Sequence, residues 1–467
     1  PGMFAEVPGA SYLIASSSGS GAAKLSLGEE VLLPRRRVLD AVDSAIAANQ
    51  SACISVQVDS TGNGPTEWVY MMAKALAAKW SGACVIYQLW NDTNQNYDAP
   101  EVIQAGALGE RYAYFPANSR SFSMPAAAMT AITGDIDIRA KVSADDYTRG
   151  ATQTIVARYG AAPNRSWKFE INSSDRLSFA WSADGSTDAA TVTSTAALPF
   201  SDGEIAWVRA VLDVDNGSGG RTCTLYTSPD GYTWTSIGTS NTTSGGPTSI
   251  YDPVSQEYEI GGRGSNGGVW LGKIFAVEIR SGIDGGIVNP QPIESWAPRG
   301  PSGSYIPGSF GGSPTIRIWN GAMPGMGYSY FSDATRFPKM VPAMSVGVAY
   351  QSCSHNDGAL AGSAYWAVRD SWLTQLKARC PSAIIAVLNQ NPRCSPDPDH
   401  TTAYQARRAV EMVSWAQRSG VAMVDTYRDF VTDARGYTTL IEPVDGIHPT
   451  QGMDGGQGVI ARCVWQS

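Results

Sequence analysis

This chain of 467 residues predicts a parallel-sheet α/β domain interrupted by an all-β sandwich. Near both ends, short apolar runs alternate with stretches of helical spacing, which is the pattern of strands and helices taking turns along a parallel sheet. Between Ser121 and Asp284 helical periodicity nearly disappears, and short alternating runs separated by Gly, Asn, Asp and Ser turns take its place. Neither flank alone supplies a full set of strands, so the two flanks complete one domain and the sandwich is inserted. The expected organisation is an N-terminal arm and helix (1–50), a first α/β part (51–119), the inserted sandwich (120–285) and a second α/β part (286–467).

Residues 1–30 are small and polar, with Ser16 to Gly21 as a flexible stretch. From Pro34 the spacing of Val38, Leu39, Val42, Ala45 and Ile46 is helical, and proline suits a first helical turn. Ile54–Val58 reads as a strand, Glu67–Trp80 as a helix and Ala83–Trp90 as a strand ending in the turn Asn91-Asp92-Thr93. The sandwich strands are expected at Ile136–Val142, Thr154–Arg158, Trp167–Ile171, Leu177–Trp181, Trp207–Val214, Cys223–Thr227 and Ile274–Ile279. Ser228 to Trp234 approximates an Asp-box and reads as a hairpin turn. The α/β pattern then resumes with strands Thr315–Trp319 and Ser345–Tyr350, helix Ala359–Lys377, strand Ala383–Leu388, helix Thr401–Arg418, strand Val421–Thr426 and a last helix from near Gln451. Helices on both faces of the sheet make three layers, α/β/α.

An apolar fraction of 43% with 16% charged residues excludes disorder as the dominant state. The net charge of -8 argues against nucleic acid or an anionic membrane as the main partner. Richness in Gly, Trp and Tyr suits a polysaccharide better. Seven cysteines (Cys53, Cys84, Cys223, Cys353, Cys380, Cys394 and Cys463) lack metal-ligand spacing, and with three histidines no metal and no cofactor are expected. Cys53 and Cys84 lie in apolar runs as small hydrophobes, and Cys380 with Cys394 is the one nearby pair. No apolar run is long enough to span a bilayer, and residues 1–30 lack a basic start followed by an apolar stretch, so a signal was removed or never existed.

Chemistry concentrates in loops that follow strands, where parallel sheets gather their catalytic groups. Asp59-Ser60-Thr61-Gly62-Asn63-Gly64 follows the first strand, and Asp445-Gly446-Ile447-His448-Pro449 lies near the C-terminus. A serine hydroxyl needs an adjacent base, and that base needs a third group to fix its tautomer. Ser60, His448 and Asp445 supply these types, with the acid three residues before the base. Asn320 to Gly325 and Ser354-His355-Asn356-Asp357 follow two further strands and offer donors for a developing oxyanion. His355 and His400 read as structural or surface residues.

In these four blocks the chain resembles the SGNH, or GDSL-type, hydrolases, over roughly 250 residues outside the insertion. The resemblance implies a flavodoxin-like three-layer fold, a Ser60–His448–Asp445 triad, and an oxyanion hole from Ser60 N, Gly325 N and the Asn356 side chain. Val58 and Ser354 stand where the family has glycines, and the first of these also departs from Gly-x-Ser-x-Gly of the rival α/β-hydrolases. Phe122 to Pro125, Asp135 to Ile138, Trp207 to Arg209 and Gly272 to Phe275 are similar to the laminin-G-like or concanavalin-A-like jelly roll. Trp167, Trp181, Trp234 and Trp270 are core or sugar platforms, with core the better choice for most. Leu89 to Asp92 and Tyr97 to Pro100 also resemble the esterase-bearing minor tail proteins of phages that infect actinobacteria. That resemblance implies an extracellular, virion-borne O-acyl esterase whose partners are an acylated polysaccharide or glycolipid, the host cell envelope and other tail proteins. Two alternatives stand beside it: a non-catalytic tail or adhesion protein that binds glycans through the jelly roll, and a secreted bacterial lipase or esterase.

Overall fold

The computed structural model describes residues 38–116, 121–239, 241–243, 246–263, 267–299, 310–357, 362–394 and 402–466. The serine-rich stretch, Pro34 and His400 lie outside them. Six strands form a parallel sheet: β1 (Ala52–Val58), β2 (Cys84–Asn91), β3 (Thr315–Asn320), β4 (Gly347–Ser352), β5 (Ile384–Leu388) and β6 (Ala422–Val424), in the order β6-β5-β4-β1-β3-β2. With β2 set aside, the remaining order is that of a flavodoxin-like doubly wound sheet. β1 is therefore flanked by β3 on one side and β4 on the other, Ile54 pairing with Ile318 and with Val348. The chain reverses direction across the sheet at this point, which opens a crevice beyond the carboxyl end of β1.

Both faces are covered, and β1 is buried along its whole length. Ile54, Val56 and Val58 pack with helices α1 (Asp40–Ala47), α2 (Trp68–Lys79) and, after β6, α5 (Thr426–Thr432) and α6 (Gly456–Gln466). Cys53 faces the opposite way, toward α3 (Gly362–Arg379) and α4 (Thr402–Ser419), where Trp372, Leu376 and Trp415 join one cluster. The Cys53 face also carries buried Ser55 and Gln57, Gln57 Nε2 donating to Ser55 Oγ at 2.7 Å, so this strand alternates although both of its faces are covered.

The sheet is not wholly parallel: Glu101–Ala105 and Asn96–Tyr97 run antiparallel against β2. Both segments are too short and polar to carry a strand period. The expected strand Val421–Thr426 ends at Val424, because Asp425 caps α5 by accepting Arg428 N at 3.2 Å. The last helix begins at Gly456 rather than near Gln451.

Between β2 and β3 lie two antiparallel sheets of seven and nine strands, whose inner faces share one core. They draw in strands beyond the 120–285 span expected from sequence: Tyr112–Phe115, Gly286–Ile287, Ala297–Arg299 and Phe310–Gly311. These pieces are two to four residues long, so no alternation marked them. Trp167, Trp181 and Trp270 are core residues, whereas half-buried Trp234 lies over Arg139 and Arg209. All seven cysteines are free, so Cys380 and Cys394 are not paired.

The wider sandwich sheet turns charged residues toward the α/β unit. Lys141 Nζ contacts Glu110 at 2.5 Å, and Glu110 accepts Arg317 of β3 at 2.8 Å. Arg111 meets Glu294 at 2.8 Å, and Glu294 also accepts the Ser51 hydroxyl at 2.7 Å. Next to this seam, fully buried Asp137 holds Arg209 through bonds of 2.9 and 2.7 Å and Arg139 through bonds of 3.3 and 2.8 Å. Burial pushes the Asp137 carboxyl up, but the two guanidiniums outweigh it and hold it well below the usual carboxylate range.

A depressed native pKa contributes stability that is present above the ordinary value of about 4 and is lost as pH falls below it. Asp137→Asn is expected to destabilise the fold by about 3 kcal/mol at neutral pH, because it leaves two buried guanidiniums with only the half-exposed Asp284 carboxylate as their shared anion. Urea melts from pH 7 to pH 3 check this: the variant's loss should shrink as the pH falls, and equal losses at every pH would contradict it.

Candidate active site

The crevice at the end of β1 is where the predicted residues meet. Asp59 follows β1 and forms a turn upon itself, its Oδ1 accepting Thr61 N at 3.1 Å and the Thr61 hydroxyl at 2.9 Å. Gly62 completes the turn. A Cβ there would lie 2.5 Å from Val58 Cγ1 and 2.9 Å from Val69 Cγ2, so the valine that departs from the expected glycine fills the space Gly62 leaves open. This turn leaves Ser60 partly exposed between buried neighbours.

Ser60 Oγ lies 2.6 Å from His448 Nε2, and His448 Nδ1 lies 2.6 Å from Asp445 Oδ2. The other Asp445 oxygen accepts the backbone N–H groups of Ile447 at 2.7 Å and His448 at 3.0 Å, which fixes the carboxylate relative to the ring. Partial burial raises the Asp445 pKa, but those two donors and the imidazole more than offset it, so the group is held below the usual carboxylate value. With an ionised acceptor at Nδ1, the favoured neutral tautomer carries its proton there and leaves Nε2 free to accept from Ser60.

His448 arrives on a braced loop. Glu442 N donates to His448 O at 2.7 Å, Thr450 N to Leu440 O at 2.8 Å, and Asn391 Nδ2 to Ile447 O at 2.8 Å. Gln457 of α6 then accepts Trp68 N, the first N–H of α2, at 3.1 Å. The C-terminal segment thereby carries His448 and also ties down the helix that follows the serine turn.

Two further loops close the crevice. Gly321 N donates to Val56 O at 2.7 Å and Met323 N to Val58 O at 2.8 Å, so the chain after β3 runs along the end of β1. Gly325 has φ +73°, a left-handed conformation that glycine adopts without strain, and a side chain there would meet open space. Among the described residues, neither Ser60 N nor Gly325 N has a hydrogen-bond partner, which leaves both donors available. Asn356 Nδ2 donates to Met326 O at 3.2 Å and to Asp59 Oδ2 at 3.3 Å, so its amide is engaged in the ligand-free state.

Sequence reasoning gave no individual role to Asn320 or Asp357, though both lie in its blocks, and missed Gln390. Asn320 donates to Gly62 O at 2.6 Å and supports the serine turn. Buried Asp357 accepts Tyr328 N at 2.8 Å, and its carboxyl is pushed up to about 6 by burial. Gln390 bonds to Asp59 Oδ2, whose carboxyl burial raises despite that donor. The signal for Gln390 was present, since Asn389-Gln390-Asn391 is a polar triplet just past the apolar strand β5. His355 is structural, its Nε2 lying 2.8 Å from Asn391 O.

No family model matches the chain, and no curated protein matches it. Among solved structures, it is similar to a peptidoglycan O-acetylesterase at 12% identity, covering 91% of this chain and 93% of that one with a TM-score of 0.33. A member of the lipolytic G-D-S-L family from Veillonella parvula DSM 2008 is 11% identical, with 32% of this chain and 79% of that chain covered and a TM-score of 0.26. An acetyl xylan esterase from Geobacillus stearothermophilus is 18% identical, with 32% and 72% covered and a TM-score of 0.27. At such identities and scores, the chemistry of this site rests on its own geometry.

Proposed function

We propose that this protein is a serine ester hydrolase of the SGNH type. One observation carries this reading: the unbroken line Ser60 Oγ, His448 Nε2, His448 Nδ1, Asp445 Oδ2, with 2.6 Å at both contacts. His448 takes the Ser60 proton as the oxygen attacks the ester carbonyl, and gives it to the leaving alcohol as the tetrahedral intermediate collapses to an acyl-enzyme. Water, deprotonated by the same imidazole, then releases the acid. Asp445 fixes the tautomer and balances the imidazolium charge. Ser60 N and Gly325 N supply two donors to the oxyanion, and Asn356 supplies the third by redirecting one of its amide hydrogens.

The proposed substrate is an O-acyl ester on a polysaccharide or cell-envelope glycolipid. Support comes from the placement of the sandwich, which we read as a jelly-roll insertion of the laminin-G-like class. Its hairpin residue Tyr232 bonds Asn94 at 3.1 Å and Asp98 at 3.3 Å, both in the segment following β2. β2 and β1 point the same way, so this hairpin of the sandwich reaches the end of the sheet at which Ser60 lies. A second binding element there raises the effective concentration of a repetitive substrate. A virion tail is the proposed setting, with host envelope and other tail proteins as partners.

Hydrolysis of a short-chain nitrophenyl ester tests the activity. Ser60→Ala is expected to lower kcat by on the order of 10⁴-fold or more, and Asp445→Asn by on the order of 10⁴-fold. If wild type and Ser60→Ala are equally inactive on esters of two to eight carbons and on isolated cell envelope, the non-catalytic adhesion reading takes its place. Asn356→Ala should cost about 10²–10³ in kcat with KM little changed. A loss confined to KM would remove Asn356 from the oxyanion site.

A further inference from the structure

We propose that Gln390 is a positioning residue, bridging Asp59 beside the nucleophile to the backbone that carries Asn356. The proposal rests on the ester-hydrolase reading and adds a residue that none of the four sequence blocks contains. Gln390 follows β5 and is 6% exposed, and both ends of its amide are used. Its Nε2 donates to Asp59 Oδ2, and its Oε1 accepts the N–H of His355. One side chain therefore ties together the loops after three adjacent strands, β1, β4 and β5.

Asp59 gives the bridge its consequence. Its carboxylate is 1% exposed, with Oδ1 filled by Thr61 and Oδ2 shared by Gln390 and Asn356. An amide side chain can present either its oxygen or its nitrogen to a neighbour; Asn356 presents nitrogen to Met326 O and to Asp59 Oδ2, and only an ionised Asp59 holds it there from the second side. A protonated Asp59 accepts at one oxygen fewer and can itself donate to the Asn356 carbonyl, which turns the amide around. Burial favours that protonated form, and Gln390 opposes it as the strongest single hydrogen-bond donor to the group. The other charged or titratable neighbours of Asp59 are His448, Glu67, Asp357 and the Cys353 thiol. Of these, His448 alone favours its ionised form, so the amide donors decide its state.

Two near-isosteric variants separate positioning from mere packing. Gln390→Met loses both bonds and is expected to lower kcat about tenfold or more at every pH, with KM changing less than about threefold. Gln390→Glu still accepts from His355, but it donates to Asp59 only while the two facing carboxyls share a proton. Its kcat relative to wild type should therefore be near normal on the acid side and fall as pH rises, a limb that Gln390→Met lacks. Wild-type kcat in Gln390→Met, or identical flat profiles in both variants, would overturn the proposal.

Backbone amide exchange tests the bridge independently of activity, and so separates its failure from failure of the esterase reading. In Gln390→Met, exchange at residues 354–357 should quicken about tenfold or more while the core strands stay protected. In Gln390→Glu it should not. Unchanged exchange in Gln390→Met would overturn the bridge whether or not the wild type cleaves esters.

Discussion

The contact between Ser60 Oγ and His448 Nε2 joins positions 388 residues apart, and most of the architecture serves to hold it at 2.6 Å. The serine is fixed by a turn that the parallel sheet points into a crevice, because β1 sits where the strand order reverses. The histidine comes from a segment after the last strand, braced against the loops after β5 and tied by Gln457 to the start of α2. An insertion of more than two hundred residues between β2 and β3 is compatible with this, since loop-closure entropy grows only logarithmically with length. The inserted sheets fold around their own core and reach the α/β unit through a charged seam, so they lengthen the chain without loosening the crevice.

Two buried aspartates show how environment assigns opposite roles to one side chain. Asp137 in the sandwich is matched by two guanidiniums and is an anion throughout the useful pH range. Asp59 is as deeply buried, but its hydrogen-bond partners are neutral amides and a hydroxyl, which compensate desolvation less fully than a cation does. The first arrangement makes a rigid staple. The second leaves a carboxylate whose charge depends on how well its amides are placed, and that dependence matters because it stands beside Ser60, the proposed nucleophile.

Much of this was legible in the sequence, for definable reasons. Ile54–Val58 alternates apolar and polar residues, Ala83–Trp90 is a largely apolar run, both lead into turn residues, and their expected limits differ from the observed ones by a residue or two. Ser60, Asp445 and His448 were legible because histidine is rare in this chain, with three in all, and because an acid three residues before that histidine and a glycine-rich turn after Ser60 suit a single chemistry. The strands of two to four residues that widen the sandwich sheets carry no period and were not legible. Nor was Gln390, because an amide past a strand has no signature until the neighbouring loops reveal a buried carboxylate to receive it. Asn356 was recognised by its block, but its engagement with Asp59 and Met326 belongs to three-dimensional packing that spacing does not encode.

The central claim is that Ser60 is a nucleophile activated by His448. Mass spectrometry of the protein after treatment with a fluorophosphonate tests it without any assumption about the natural ester. The account predicts one adduct per chain, on the peptide containing Ser60, formed at a rate that falls as His448 becomes protonated. An adduct on another residue, or no adduct under conditions in which the protein remains folded, would contradict it.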